Sequence, residues 1–110
     1  MQAIARIDAG VCGFHSDIAT SSEDGMFVTF EVQSGCEKIR GLGDALAVKG
    51  PINAYEEINP NSGSVLMNTV RECLQGCCAG CAVPVGLFKS MQVAAGLALP
   101  RDIAIQITKE

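Results

Sequence analysis

The sequence predicts an α+β domain: one mostly antiparallel sheet of about four strands, with helices packed on one face, in the order β-β-β-α-α-α-β. Three observations predict it. Apolar and polar residues alternate from Met26 to Ser34, which marks a strand. Two later segments, 64–77 and 84–99, carry apolar residues at helical spacing instead. Alternation then returns at 102–109. A run of strands, a run of helices and a closing strand form one sheet covered by helices.

The first strand is AIARID, residues 3–8, ending at Ala9-Gly10. GVCGF, residues 10–14, makes a tight connection in which Gly10 and Gly13 flank Cys12. Glycine there permits positive φ and close approach to a bound group. FHSDIAT, residues 14–20, reads as the second strand, and SSEDG, residues 21–25, as a turn by composition. In the third strand Met26, Val28, Phe30 and Val32 form an apolar face; Phe27, Thr29, Glu31 and Gln33 form a mostly polar one.

Ser34 followed by Glu37 matches the pattern of a capped helix start. A helix from Cys36 or Glu37 to Val48 places Ile39, Leu42 and Leu46 on one side, although Gly41 and Gly43 lower its propensity. Residues 49–64, KGPINAYEEINPNSGS, read as a loop or short irregular segment, with Glu56 and Glu57 on a solvated face. The second helix is 64–77, with Leu66, Val70, Cys73 and Leu74 in phase and Gly76 as its stop. The third is 84–99: Pro84 suits a first helical turn, Leu87, Phe88, Met91, Ala94, Ala95 and Ala98 follow the helical rhythm, and Pro100 stops it. The last strand is DIAIQITK, with Ile103, Ile105 and Ile107 on one face.

The chain has 110 residues, 48% hydrophobic and 18% charged, without tryptophan. This bounds one domain, 1–110, whose core is built from Val, Ile, Leu, Met and Ala. The net charge of −4 and the absence of a Lys/Arg cluster argue against nucleic-acid or anionic-membrane partners. MQAIARIDAG has no long apolar region, so no signal peptide is expected, and neither uncharged stretch, Glu72–Lys89 or Lys89–Arg101, reads as a membrane span. Six cysteines in a short chain fit either a secreted disulfide scaffold or a reducing cytoplasm. The ample aliphatic content favours the cytoplasm, where clustered cysteines bind metal or do redox chemistry.

Cys12 follows strand one in a glycine-rich turn, Cys36 sits where a strand meets a helix start, and Cys81 precedes the Pro84 helix. A helix start carries partial positive charge and unpaired N–H groups, an environment suited to thiolate ligands. Cys78 with Cys81 forms a C-x-x-C, whose spacing lets two thiolates reach one metal from a turn. The expected metal ligands are therefore Cys12, Cys36, Cys78 and Cys81, with Cys77 as the substitute for Cys78. The centre is an iron–sulfur cluster or zinc. Against this stands the ordinary role of cysteine as a small buried hydrophobe; for Cys73, in phase with a helix's apolar face, that role is the better reading. His15, the single histidine, reads as a solvent-facing strand residue, and Asp17, Glu23 and Asp24 as turn and surface charges. No hydrolytic, transferase or nucleotide-loop motif is present; GLGDALAVKG lacks the order and strand–helix context of a phosphate loop.

GVCGF, SGC, CAVP and AAGLALPRDIAIQI, in that order, resemble a family of small uncharacterised prokaryotic proteins of unknown function, associated with anaerobes. Where relatives of that kind are expected to carry C-P-V-P, this chain has Cys81-Ala82-Val83-Pro84. Cys12, Cys36 and Cys81 also map onto the layout of the cysteine-bearing domain at the C-terminus of some ribonucleotide reductases, although the T-S-C-P-D signature is absent. That similarity implies a metal-binding or redox-linked thiol domain.

The leading expectation is thus a small cytoplasmic metal-binding protein. The alternatives are a thiol–disulfide enzyme or sensor, with Cys81 attacking and Cys78 resolving, and an interaction subunit with inert thiols. The alternating C-terminal strand, open to pairing at a sheet edge, predicts a homodimer.

Overall fold

The computed structural model describes residues 1–59, 61, 63–77 and 81–110. Three antiparallel strands, β1 (Gln2–Asp8), β2 (His15–Ser21) and β3 (Phe27–Ser34), are followed by helix α1 (Glu37–Lys49). A two-residue strand β4 (Ile52–Asn53) leads into a short helix α2 (Ala54–Ile58), then α3 (Val65–Cys73) and α4 (Val83–Ala94). The sheet order is β1-β2-β3-β4, all antiparallel. The expected α+β class, with a four-stranded sheet and helices packed against it, is the observed one.

Period-two burial makes the sheet two-faced. Ser16, Ile18 and Thr20 of β2 and Val28 of β3 are buried, while Asp17, Phe27 and Thr29 are exposed. Helix α1 covers β3, α4 covers β1 and β2, and α3 packs against α1. The core joins Ile18 and Val28 to Ile39, Leu42 and Leu46 of α1, Leu66 and Val70 of α3, and Leu87 and Met91 of α4. One polar pair is built into it: Thr20 Oγ1 and Ser90 Oγ lie 2.9 Å apart, and the Ser90 hydroxyl donates to the Leu87 carbonyl. Both hydroxyls are thereby satisfied, as burial requires.

Four local readings are corrected. Segment 102–109 is not a strand: residues 101–110 have no regular structure and are all exposed. Alternation supplies a strand's side chains but not its partner, and the fourth strand is Ile52–Asn53 instead, inside the segment read as a loop. There Asn53 Oδ1 accepts from the Tyr55 N–H at 3.0 Å and starts α2. Second, α4 ends at Ala94, not near Leu99. The N–H groups of Gly96 and Leu97 donate to the carbonyls of Val93 and Gln92 at 3.0 and 2.7 Å, with Gly96 at φ 77°. This is a Schellman stop, which glycine at positive φ permits.

Third, Ser34 does not cap α1. It is the last residue of β3, and Cys36 is the N-cap, with no side-chain capping bond. Fourth, Glu57 does not lie on a solvated face with the exposed Glu56; it is buried. Its carboxylate accepts the N–H of Val65 at 3.1 Å and that of Leu66, at the start of α3. Ser64 Oγ accepts the Met67 N–H at 2.9 Å. Together they satisfy three donors that a helix start leaves unpaired.

Candidate functional site

The strand register brings the cysteine-bearing segments to one end of the sheet. Asp8 pairs with His15, and Ser16 with Ser34, so the β1–β2 turn and the exit of β3 lie side by side. Helix α1 starts from that exit. Helix α4 starts at the same end, because Gly86 in its first turns sits against Ile7, near the end of β1. At its far end Ala95 lies by Gly25, in the β2–β3 turn at the opposite end of the sheet.

Between these starts is a cavity of about 290 Å³. Four cysteines line it: Cys12 from the β1–β2 turn, Cys36 at the start of α1, Cys77 from the turn after α3, and Cys81 just ahead of α4. Ile39, Leu74 and Val83 form apolar walls contributed by three helical segments, and Phe14 and Val11 close the turn side. The cysteines form two tiers. Cys36 and Cys81 are half-buried against the core; Cys12 and Cys77 are exposed at the rim.

Each segment is held by its own bonds. In the turn, the Gly13 N–H donates to the Gly10 carbonyl at 2.8 Å and the Gly10 N–H to Asp8 Oδ1 at 3.0 Å; both glycines have positive φ, as their spacing around Cys12 implies. Ser34 fixes the approach to α1: its Oγ accepts the Cys36 N–H at 3.0 Å and lies 2.8 Å from the Ser16 hydroxyl, while its carbonyl accepts Arg40 Nη1 at 3.0 Å. Cys36 thus has its backbone anchored and its side chain unused for capping. Lys38 Nζ donates to the Gln75 carbonyl, which ties the turn carrying Cys77 to α1 and places an ammonium beside it.

Three of the four expected ligands, Cys12, Cys36 and Cys81, therefore line one cavity. Cys78, the fourth, lies outside the described residues. Cys77, weighed as its substitute, lines the cavity. Cys73 is half-buried against the core, as its helical phase implies, and His15 is an exposed residue of β2. Cys12, Cys36, Cys73 and Cys77 carry free thiols. Among the described residues no three His, Cys, Asp or Glu side chains are gathered closely enough to hold a metal ion. Also among them, no helix is long and apolar enough to cross a membrane. Sequence reasoning missed Ser16 and Lys38 as supports, since they are ordinary strand and helix polar residues until the register places them; it singled out Ser34, but as a cap of α1 and not as the acceptor for the Cys36 N–H.

Fold and site together define a small α+β domain with a cysteine-lined cavity at the end of its sheet where two helices begin. The chain belongs to DUF6951, a family of unknown function, whose model matches residues 3–107. No curated protein and no solved structure matches it.

Proposed function

We propose that this protein holds a polynuclear metal–sulfur centre, an iron–sulfur cluster, in the cavity lined by Cys12, Cys36, Cys77 and Cys81. The observation that carries the reading is that four cysteines from three separate stretches of the chain, the β1–β2 turn, the start of α1 and the stretch between α3 and α4, line a single apolar cavity. Thiolates are the ligands of such clusters, and soft all-sulfur donor sets select them or zinc. Size favours the cluster: a single tetrahedral zinc sits about 2.3 Å from each thiolate sulfur, whereas the cavity holds about 290 Å³. A cluster's inorganic core separates its ligands and occupies volume. Cys78, the next residue in the chain after Cys77, belongs to the same reading as the alternative ligand.

The inner pair, Cys36 and Cys81, would anchor the centre, while Cys12 and Cys77 close it from the rim. The apolar walls would exclude water, and exclusion of water and hydrogen bonding to sulfur are the levers that set a cluster's potential. When bound, the centre supplies one-electron chemistry, which makes electron transfer or cofactor delivery in a reducing cytoplasm the proposed role. The layout shared with the cysteine-bearing domain of some ribonucleotide reductases points the same way.

Anaerobic purification followed by an absorption spectrum and analysis for iron, acid-labile sulfide and zinc tests this. Visible charge-transfer bands with iron and sulfide are expected, and Cys36→Ser with Cys81→Ser should abolish them while Cys73→Ser leaves them intact. Stoichiometric zinc alone would overturn the cluster. Absence of both metals would overturn the metal centre and leave the thiol–disulfide reading, with a Cys78–Cys81 couple as its test.

A further inference from the structure

The segment after α4 is built like a strand yet has no strand partner. Ile103, Ile105 and Ile107 share one parity, while Asp102, Gln106 and Thr108 fall on the other with Ala104. Residues 101–110 are all exposed. The segment is part of the domain, since the family model runs to residue 107. Leaving three isoleucines in water is unfavourable, because burial of aliphatic side chains is a main source of folding and association free energy.

The sheet offers a matching vacancy. β1 lies at the edge, bonded only to β2, and among the described residues no other backbone hydrogen bond reaches it beyond those to the flanking turns. Its faces have the same division. Ala3, Ala5 and Ile7 face α4 but stay half-exposed, so the apolar layer under α4 is incomplete at this edge; Gln2, Arg6 and Asp8 point to the open side with Ile4. A strand added here with its isoleucines towards α4 would complete that layer. Its polar parity would extend the open face beside Arg6. β1 has seven residues, as many as the span 102–108.

The segment does not lie on its own β1. Exposure of the three isoleucines rises along the chain, from 53% at Ile103 to 70% at Ile105 and 89% at Ile107, so the segment leaves the body as it proceeds. The molecule measures 44 Å along its longest axis against 27 and 26 Å across.

We propose that two copies of this chain exchange these segments, residues 102–108 of each adding as a strand to the β1 edge of the other. Strand addition at a free edge is a general recognition mode, in which main-chain bonds give affinity and alternate side chains give register. Reciprocal exchange doubles the contact and closes it, as a two-fold dimer requires.

Light scattering on the full chain, on a chain ending at Pro100 and on Ile105→Pro, with amide exchange of all three, tests the proposal. The full chain should be a dimer with slowed exchange at 102–108 and along β1. Both variants should be monomers with unchanged circular dichroism, since neither removes a buried residue; Ile105→Asp is the second variant should either misfold. A monomeric full chain, a dimer that survives loss of residues 101–110, or protection of 102–108 within a monomer would each overturn the exchange. None of these outcomes depends on the metal content.

Discussion

A Cβ placed on Gly43 of α1 would stand 2.8 Å from the Cβ of Val32 on β3. The neighbour is fixed to its strand, so helix and sheet are in backbone-close contact there, and only glycine fits. Gly41, two residues earlier in the same helix, meets nothing within 4 Å. The two glycines that lower the helix propensity of α1 therefore have opposite meanings. Gly41→Ala should stabilise the protein by up to about 1 kcal/mol, the helix-propensity difference alone. Gly43→Ala gains the same propensity but overpacks the interface, at about 1–3 kcal/mol. It should be net destabilising, and Val32→Ala, which keeps the Cβ at 2.8 Å, should not rescue it. Urea midpoints of the three variants decide this; equal effects at both glycines would refute the close contact.

Glu57 is a buried carboxylate whose partners are the N–H groups of Val65 and Leu66. It receives the positive end of α3, where a negative charge is favourable. Glu57→Ala leaves buried donors unpaired and should cost about 1–3 kcal/mol. Glu57→Gln keeps one acceptor oxygen and should cost less. Glu56→Ala, at an exposed neighbour, should stay within about 0.5 kcal/mol of the parent. Thermal melts of the three, expected in that order, check the assignment; a Glu57→Ala variant as stable as Glu56→Ala would exclude it.

Where a sequence signal is local, it was readable. The alternation of β3, the phases of α1 and α3 and the glycines around Cys12 carry their own structure. So did the placing of Cys12, Cys36 and Cys81 at one end of the sheet, because a turn, a strand exit and a helix start are sequence features. Glu57 was not readable, since its partners lie eight and nine residues away across an irregular connection. β4 is two residues long and exists only because β3 is there to pair with. Segment 102–109 erred the other way. Its alternation is genuine, but a strand needs a neighbour, and within one chain it has none.

Asp24 makes the β2–β3 turn sensitive to acid. Its Oδ1 accepts the backbone N–H groups of Met26 and Phe27, each at 2.9 Å. The Met26 bond first, then that from Phe27, holds its carboxyl below the ordinary value of 3.8. A carboxylate lowered in the native state contributes stability that is fully present above its unfolded value and lost as pH falls through its native value. Stability should therefore decline in acid below about pH 4, and Asp24→Asn, which retains an acceptor but cannot titrate, should remove that part of the decline. Urea titrations of parent and variant across this range measure it. Identical acid slopes would place the sensitivity elsewhere.

The tiered cavity fixes an order of thiol reactivity. Cys12 and Cys77 are exposed, whereas Cys36 and Cys73 are half-buried, so a water-soluble alkylating reagent should modify the first two ahead of the second two in the metal-free protein. Access and thiolate character jointly set such rates. Occupied by a metal–sulfur centre, the cavity should reverse part of this order. Cys12 and Cys77 line it and would be shielded, while Cys73, outside the lining, should keep its rate. Mass spectrometry of alkylated peptides, taken from anaerobic protein before and after chelation, resolves each cysteine. Protection confined to Cys12, Cys36, Cys77 and Cys81 would establish the centre in this cavity. Protection of Cys12, Cys36, Cys78 and Cys81 with Cys77 still reactive would move the outer ligand from Cys77 to Cys78. Rates unchanged by chelation would mean that the four cysteines line the cavity without a shared metal.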